Sequence, residues 1–132
     1  MPILKVKISG PRRADTNAQV VRMLMDATQD VLGKKRDLIA IAIDYVEPDD
    51  WFVAGRSLQD WGKASFYLDI KITDETNTKS EKGSFIERVF SGFTEILGQL
   101  HEESYIHVED VRAAAYGYGG RTQEYRYQHP AE

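Results

Sequence analysis

The fold is decided by residues 41–56, IAIDYVEPDDWFVAGR, and their counterpart at residues 106–121, IHVEDVRAAAYGYGGR. Each stretch begins with apolar residues of strand type and ends with an aromatic residue, glycine and arginine. One constant offset of 65 residues, which places Gly55 on Gly120, aligns the two stretches. The same offset also aligns apolar residues further upstream, namely Val20, Leu24 and Val31 with Phe85, Val89 and Ile96. Two blocks that share one offset indicate that the chain contains a duplicated unit.

In the first unit the hydrophobic pattern predicts a strand, a helix and a second strand. Apolar residues alternate with polar ones from Leu4 to Ile8, which is the two-residue period of a strand buried on one face. A helix is predicted from about Thr16 to Leu32, with a capping box of Thr16 and Gln19 and with Gly33 at its end. A nearly continuous apolar run predicts the next strand from Leu38 to Val46.

The second unit repeats this order of elements. Its first strand is predicted from Phe66 to Thr73, and its second from Tyr105 to Val111. Between them a helix is predicted from about Ser80 to Leu97, and Thr78 and Glu81 form its capping box.

Two tandem β-α-β units predict an α+β fold of two layers, in which a four-stranded sheet carries both helices on one face. Residues 1–132 suffice for a single domain, with pseudo-repeats at about 2–64 and 65–128. The other sheet face would be uncovered, and we judge neither side of the strands polar enough for water. We therefore expect self-assembly, with residues Gln123 to Gln128 adding a short strand to a neighbour's sheet edge.

The composition argues against several classes of function. The chain has 17 Lys and Arg against 21 Asp and Glu, a net charge of −4, which disfavours general binding to nucleic acid or an anionic membrane. It has no cysteine for a disulfide, a thiolate nucleophile or a metal, and its three histidines are scattered. No apolar run approaches the roughly 18 residues of a membrane span or has the pattern of a signal peptide, so a cytoplasmic protein is expected.

Pro2 is the candidate catalytic residue. Once Met1 has been removed, Pro2 carries a free secondary amine, whereas a proline inside a chain has no basic nitrogen. An α-amino group titrates at about 7.7–8.0, and an apolar environment lowers that pKa, which gives a base that acts at neutral pH. The alternative is that proline follows Met1 by chance.

The ordered set of these features resembles the tautomerase superfamily, which includes oxalocrotonate tautomerase and macrophage migration inhibitory factor. The resemblance rests on Pro2, the strand from Ile3 to Ile8, Gly10 with Arg12, and the two glycine turns at residues 51–55 and 116–120. It extends from Pro2 to about Arg121. The length and the duplication are similar to those of the long, fused members of the superfamily, which form trimers, so the resemblance implies a homotrimer.

The resemblance implies a mechanism without cofactor or metal. Pro2 would act as the general base for keto-enol conversion of a small-molecule carboxylate substrate, a 2-oxo or 2-hydroxydienoate acid. Arg12 would bind that carboxylate, unless it is a solvated loop cation. Trp51, Tyr116 and Tyr118 would form the apolar wall beside Pro2, although aromatic residues at these positions could equally belong to the core or to an interface.

This chain departs from the family at two arginine positions. Long members with dehalogenase or decarboxylase activity resemble one another in an arginine pair after the third strand. Here Asp74 and Thr76 occupy those positions, which argues against either reaction. The second arginine of the short tautomerases falls at Ala40 or Tyr105 in this sequence.

Other residues offer replacements for these cations. Arg56 and Arg121 follow the glycine turns, and either bind the substrate or lie at a subunit interface.

Asp37 either matches an acid of the decarboxylase branch or pairs with its cationic neighbours on the surface. Lys71 is a further candidate without an assigned role.

Two alternatives stand beside an isomerase. One is a lyase or hydratase-type member of the same superfamily, decarboxylase-like or dehalogenase-like, that uses Pro2 as an acid or as an imine-forming amine. The other is a non-catalytic trimeric binding protein, because a fold does not by itself establish an activity.

Overall fold

A computed structural model describes residues 2–130 of the chain. The elements of the first half are β1 (Ile3–Ser9), α1 (Ala14–Leu32), β2 (Ala40–Val46), β3 (Phe52–Val53), β4 (Arg56–Ser57) and α2 (Leu58–Trp61). The elements of the second half are β5 (Phe66–Thr73), α3 (Lys79–Leu97), β6 (Tyr105–Val111), β7 (Gly117–Tyr118), β8 (Arg121–Thr122) and α4 (Gln123–Gln128). Short 3₁₀ turns at Arg36–Leu38, Pro48–Asp50 and Ala113–Ala115 connect them.

The four long strands form one mixed sheet in the order β2-β1-β5-β6. Each unit contributes a parallel pair, β1 with β2 and β5 with β6, and the two units meet where β1 runs antiparallel to β5. At this central seam Leu4 lies opposite Ile70, and Val6 lies opposite Leu68. The predicted α+β class and four-stranded sheet are confirmed, whereas the proposed boundaries at about 2–64 and 65–128 stay a prediction.

The core lies between the sheet and the two long helices. Its fully buried side chains come from both central strands and from one stripe on each helix; they include Leu4, Ile8, Leu68, Ile70, Val20, Leu24, Val89 and Phe93. Phe66 stacks on Phe93 with ring centroids 4.0 Å apart. Because each buried side chain of this size contributes about 1.5–3 kcal/mol, this layer holds the ends of the strands in fixed positions.

The opposite face of the sheet carries charged side chains, contrary to the expectation that neither face is polar enough for water. Lys5 and Lys7 alternate with the buried residues of β1 and are exposed. On β5 the ammonium group of Lys71 lies 3.1 Å from Asp69 and 3.3 Å from Glu109 on β6. Along the central strands the charged residues of this face thus alternate with the residues buried in the core.

The two long helices begin in different ways. Thr78 caps α3 by accepting a hydrogen bond from the backbone of Glu81, whose carboxylate binds Thr78 in return, so this predicted capping box is confirmed. The box predicted at Thr16 is wrong: α1 begins at Ala14, its N-cap is Arg13, and no side chain caps it. Gly33 ends α1 as expected, with a φ of 68°.

The predicted strand from Gln123 to Gln128 is also wrong, because these residues form the helix α4. Thr122 begins this helix by accepting a hydrogen bond from the backbone nitrogen of Tyr125. The first half has the same arrangement, in which the β3-β4 hairpin precedes α2 and Ser57 is the cap. Ser57 and Thr122 are separated by the same offset as the rest of the repeat. This match of the two helix caps could have predicted α4, but it is not visible in the hydrophobic pattern.

None of the helices within residues 2–130 is long and apolar enough to cross a membrane.

Candidate active-site cleft

Pro2 lies buried at the start of the central strand β1. Its carbonyl oxygen accepts a hydrogen bond from the backbone nitrogen of Ala40, 3.2 Å away, which ties the start of β1 to the start of β2. The removal of Met1 concerns a residue outside the described range.

Beside Pro2 is a cleft of about 470 Å³, called the Pro2 cleft below. Its walls come from the starts of β1 and β2, the preceding 3₁₀ turn and the strand β7: Pro2, Ile3, Asp37, Leu38, Ile39, Ala40, Tyr116, Gly117 and Tyr118. Most of these side chains are apolar or aromatic. Such walls exclude water and disfavour charged forms of the groups between them.

Tyr116 joins the two halves of the chain at this cleft. Its hydroxyl oxygen accepts a hydrogen bond from the backbone nitrogen of Ile3 at 3.2 Å, and its proton is donated to the carbonyl oxygen of Lys71 at 3.1 Å. Burial raises the pKa of Tyr116, and the hydrogen bond from Ile3 and the charge of Lys71 oppose that rise. The phenol therefore stays protonated at neutral pH and holds the strand that carries Pro2.

Asp37 is the one charged residue among those that line the Pro2 cleft. The surface ion pair considered from the sequence is not formed: within residues 2–130 no cationic group lies within 4.0 Å of its carboxylate. Its neighbours are bound elsewhere, because Lys34 donates to Thr76 and Arg36 pairs with Asp26. The exposed carboxylate of Asp37 thus faces the cleft without a counter-ion from this chain.

Trp51 lies in a different cleft, of about 600 Å³, together with Phe66, Tyr67 and Tyr105. This Trp51 cleft is the counterpart of the Pro2 cleft in the other unit. Phe66 is the first residue of β5 and occupies the place that Pro2 has directly before β1. Trp51 corresponds to Tyr116 under the offset of 65. Because Phe66 is inside the chain and its side chain is buried in the core, the Trp51 cleft has no amine at that position.

Arg12 is far from the Pro2 of its own chain. It is exposed and follows the end of β1 that is opposite to Pro2. Strands rise about 3.3 Å per residue, so the seven residues of β1 separate the two by more than about 20 Å. Within one chain the structure does not bring Arg12 and Pro2 together.

The remaining predicted cations have local partners. Arg56 lies over the ring of Trp61, 4.3 Å from its centroid, and donates to the carbonyl oxygen of Asp60. Arg121 lies over the ring of Tyr125, 4.6 Å from its centroid. Neither arginine is among the residues that line the Pro2 cleft.

A second cleft, called the basic cleft below, shares Leu38 and Tyr118 with the Pro2 cleft. It has a volume of about 440 Å³, and its charged lining residues are Lys34, Lys35 and Arg126. These cations were missed from the sequence. The two lysines look like an ordinary solvated run after a helix, and Arg126 lies in the segment that was predicted to be a strand.

Among residues 2–130 no group of three or more histidines and carboxylates is arranged to hold a metal ion.

The fold and the cleft define a class of protein: a duplicated β-α-β sheet with a proline at the buried start of its central strand. Residues 2–60 match the sequence model of the family described as tautomerase enzyme. Among curated proteins, no sequence matches this chain.

Several solved structures share the fold over nearly their whole length. Pt0534 inactivated by 2-oxo-3-pentynoate has a TM-score of 0.81 at 15% identity, and the match covers 93% of this chain and 97% of that one. A fused 4-OT in the form of a symmetric trimer has a TM-score of 0.80 at 17% identity over 92% and 96%. A macrophage migration inhibitory factor-like protein from Entamoeba histolytica has a TM-score of 0.75 at 16% identity over 92% and 97%. The first half of the chain thus matches the tautomerase family, and the whole chain has the fold of the fused 4-OT and of the macrophage migration inhibitory factor-like protein.

Proposed function

We propose that this protein is a tautomerase that interconverts the keto and enol forms of small 2-oxo or 2-hydroxydienoate acids. Pro2, freed by removal of Met1, is its general base. The observation that carries the proposal is the position of Pro2, buried at the start of β1 in a cleft with mostly apolar walls.

The walls of the Pro2 cleft suit a proline that works as a base. A free α-amino group has a pKa of about 7.7–8.0 in water. Desolvation by Ile3, Leu38 and the two tyrosines disfavours the ammonium form and lowers that pKa. The neutral secondary amine is then well populated near pH 7, which is the condition for efficient proton abstraction.

The reaction needs one proton donor and one acceptor and no redox change. For a 2-oxo acid, the nitrogen of Pro2 removes a proton from carbon 3. The electrons of that bond form the double bond between carbons 2 and 3, and the carbonyl oxygen takes up a proton from solvent water to give the enol. In the reverse direction Pro2 returns its proton to carbon 3. Tyr116 is a positioning residue in this scheme, because its hydroxyl group is already bound to Ile3 and Lys71.

A protein of the same fold provides chemical support. Pt0534 is inactivated by 2-oxo-3-pentynoate, which is a 2-oxo carboxylate. A compound of the class proposed here as substrate therefore acts on a molecule that shares this fold.

A lyase or hydratase-type reaction is the second candidate, and the position of Asp37 favours it. A carboxylate near Pro2 stabilises the ammonium form and so opposes the effect of the apolar walls. If that influence dominates, Pro2 is protonated at neutral pH and acts as an acid. Asp37 is also the lining carboxylate that could orient a water molecule for addition.

The assembly proposed for this chain is a homotrimer. Arg12 and Trp51 lie away from the Pro2 cleft of their own chain, so they contribute to catalysis only if a neighbouring copy presents them. The fused 4-OT of similar fold is described as a symmetric trimer. Light scattering after size exclusion measures the number of copies, and a monomer would remove Arg12 and Trp51 from the proposed site. A trimer without turnover would instead favour a non-catalytic binding protein.

Intact-mass spectrometry and ultraviolet assays on one sample test the catalytic proposal. Phenylpyruvate and 2-hydroxymuconate serve as substrates, with Pro2→Ala as the variant and Pro11→Ala, outside the cleft, as the matched control. We expect a mass without Met1 and a loss of at least about a hundredfold in kcat/KM for Pro2→Ala, with no change for Pro11→Ala. Equal turnover in wild type and Pro2→Ala, or turnover by protein that retains Met1, would refute the role of Pro2.

A further inference from the structure

Among the described residues of one chain that line the Pro2 cleft, none is a cation that binds the carboxylate of an acid. Asp37 is its charged lining residue, and a carboxylate in its vicinity repels an anionic substrate. Among the described residues of one chain, Arg12, Arg56 and Arg121 do not line this cleft. Within one chain, a positive charge that binds the acid must therefore come from a neighbouring part of the surface.

The basic cleft lies directly beside the Pro2 cleft, with Leu38 and Tyr118 as common walls. Its charged lining residues are all cations, and no carboxylate is among its lining residues within the described chain. The hydroxyl groups of Thr73 and Thr76 and the amide of Gln123 add neutral hydrogen-bonding groups. A cleft of this composition is complementary to an anion that carries an apolar or conjugated body.

Arg126 is held in a fixed orientation at this cleft. Its guanidinium group stacks 3.9 Å from the centroid of the Tyr118 ring, and Nη2 donates to the carbonyl oxygen of Tyr118 at 2.9 Å. Gly119 makes this approach possible, because it has a φ of +61° and an added Cβ would lie 2.8 Å from Nη2. Nε of Arg126 is buried and has no hydrogen-bond acceptor within residues 2–130. An oxygen of a bound anion would provide one.

Lys34 supplies a second cation that is not neutralised. Its ammonium group donates to Thr76 at 2.9 Å, and no carboxylate lies within 4.0 Å of it in the described chain. Burial lowers the pKa of Lys34, and the more distant carboxylates of Glu81 and Asp110 only partly oppose that effect. A bound anion would compensate the loss of water around this side chain.

We propose that the basic cleft is the carboxylate-binding subsite of the enzyme, in which Lys34 and Arg126 hold the carboxylate of a small acid while its carbon chain crosses Leu38 and Tyr118 toward Pro2. This inference deepens the proposed tautomerase function and rests on it for the role of Pro2. It assigns substrate specificity to two residues outside the Pro2 cleft and outside the glycine turns.

Steady-state kinetics with phenylpyruvate provide the first test. Lys34→Met and Arg126→Met remove the charges, and Arg88→Met, which breaks a surface ion pair with Asp30, is the matched control. We expect each cleft variant to raise KM at least about tenfold with little change in kcat, because the carboxylate is bound equally in the ground and transition states. Arg88→Met is expected to keep the wild-type KM. Since Arg126 also supports Tyr118, Lys34→Met provides a test that does not depend on that packing.

Calorimetric titration separates this inference from the proposed function. The probe is 3-phenylpropionate, which has the carboxylate and ring of phenylpyruvate but no oxo group, and 3-phenylpropanamide is its neutral control. We expect binding of the carboxylate to weaken at least about tenfold in Lys34→Met and in Arg126→Met, while binding of the amide does not respond.

The possible outcomes distinguish the two proposals. Turnover that depends on Pro2 but is insensitive to Lys34→Met and Arg126→Met would overturn the subsite and leave the tautomerase. Binding of 3-phenylpropionate that depends on Lys34, in a protein without turnover, would support the subsite and refute the tautomerase. Absence of both turnover and carboxylate binding in the wild type would overturn both.

Discussion

The hydroxyl group of Tyr116 lies 3.2 Å from the backbone nitrogen of Ile3, the residue next to Pro2. These two residues are 113 positions apart in the chain. The second unit thus closes the cleft of the first, and the proposed base is held by a contact that neither β-α-β unit contains by itself. This contact gives the duplication a structural consequence, because a residue of the second unit fixes the start of β1 in the first.

Replacement of Tyr116 by phenylalanine tests this relationship. The variant keeps the aromatic wall but leaves the nitrogen of Ile3 and the oxygen of Lys71 without this partner. We expect a loss of about 1–3 kcal/mol in the free energy of unfolding, as is usual when a partly buried hydrogen-bonding group loses its partner. We also expect kcat to fall, because Pro2 is then less precisely positioned. Chemical denaturation and the phenylpyruvate assay measure the two effects.

The stabilisation by Tyr116 has a definite dependence on pH. Its pKa in the folded protein is raised above the usual 10.0. The stabilisation is therefore complete below pH 10 and is lost as the pH rises through the folded pKa. Tyr67→Phe, on the charged face of the sheet, is the control and is expected to keep the wild-type profile. A difference between wild type and Tyr116→Phe that grows above pH 10 would contradict this account.

Asp37 is proposed to oppose the effect of the apolar walls on the pKa of Pro2, and the pH profile shows which of the two effects dominates. Its negative charge favours the ammonium form of Pro2, so Asp37→Asn is expected to lower the pKa of Pro2 by up to about one unit. For a base, kcat/KM rises with pH through that pKa, and this limb moves to lower pH in the variant. For an acid, kcat/KM falls with pH through the same pKa. Whether kcat/KM of the wild type rises or falls with pH through the pKa of Pro2 therefore separates the tautomerase from the lyase or hydratase-type alternative.

The sequence was sufficient to predict the parts of the fold that depend on hydrophobic periodicity and on repetition. The four long strands, the two long helices and the capping box at Thr78 follow from local patterns that the core preserves. The prediction of a strand at residues 123–128 was wrong because the aromatic and polar residues of this segment alternate as they do in a strand. The capped turn at Thr122 and the stacking of Arg126 on Tyr118 determine the helix there, and both depend on contacts outside the segment.

The residues of the candidate site were harder to predict from the sequence than the fold, because the site combines residues from distant parts of the chain. Pro2 was recognisable because it follows Met1 at the head of a strand, and Tyr116 was recognisable because it belongs to a glycine turn of the repeat. Arg12 was assigned from its position after β1, but the extension of that strand carries it away from Pro2. Lys34 and Arg126 come from a loop and a short helix, and only the folded chain brings them to one cleft.

The two predicted capping boxes provide an internal comparison of helix stability. Thr78→Ala removes the acceptor for the backbone of Glu81 and is expected to cost about 1 kcal/mol of the free energy of unfolding. Thr16→Ala is the matched control, because Thr16 makes no capping hydrogen bond in α1 and its replacement is expected to change stability much less. Urea denaturation of both variants measures the difference. Equal losses would mean that α1 begins at Thr16 in solution.

Lys34 connects carboxylate binding with stability. Burial lowers its pKa below the usual 10.5, with Glu81 and Asp110 in partial opposition and Lys35 and Arg126 as the other cations of the cleft. Between its folded and unfolded pKa values the unfolded chain binds more protons, so the contribution of Lys34 to stability rises with pH in that range. Below the folded pKa the charged side chain carries a desolvation cost, which Lys34→Met removes. We therefore expect wild type to gain stability relative to Lys34→Met as the pH rises toward 10.5. Urea denaturation from pH 7 to pH 10.5 measures this difference, and a difference independent of pH would show that Lys34 is fully solvated and unsuited to the proposed subsite.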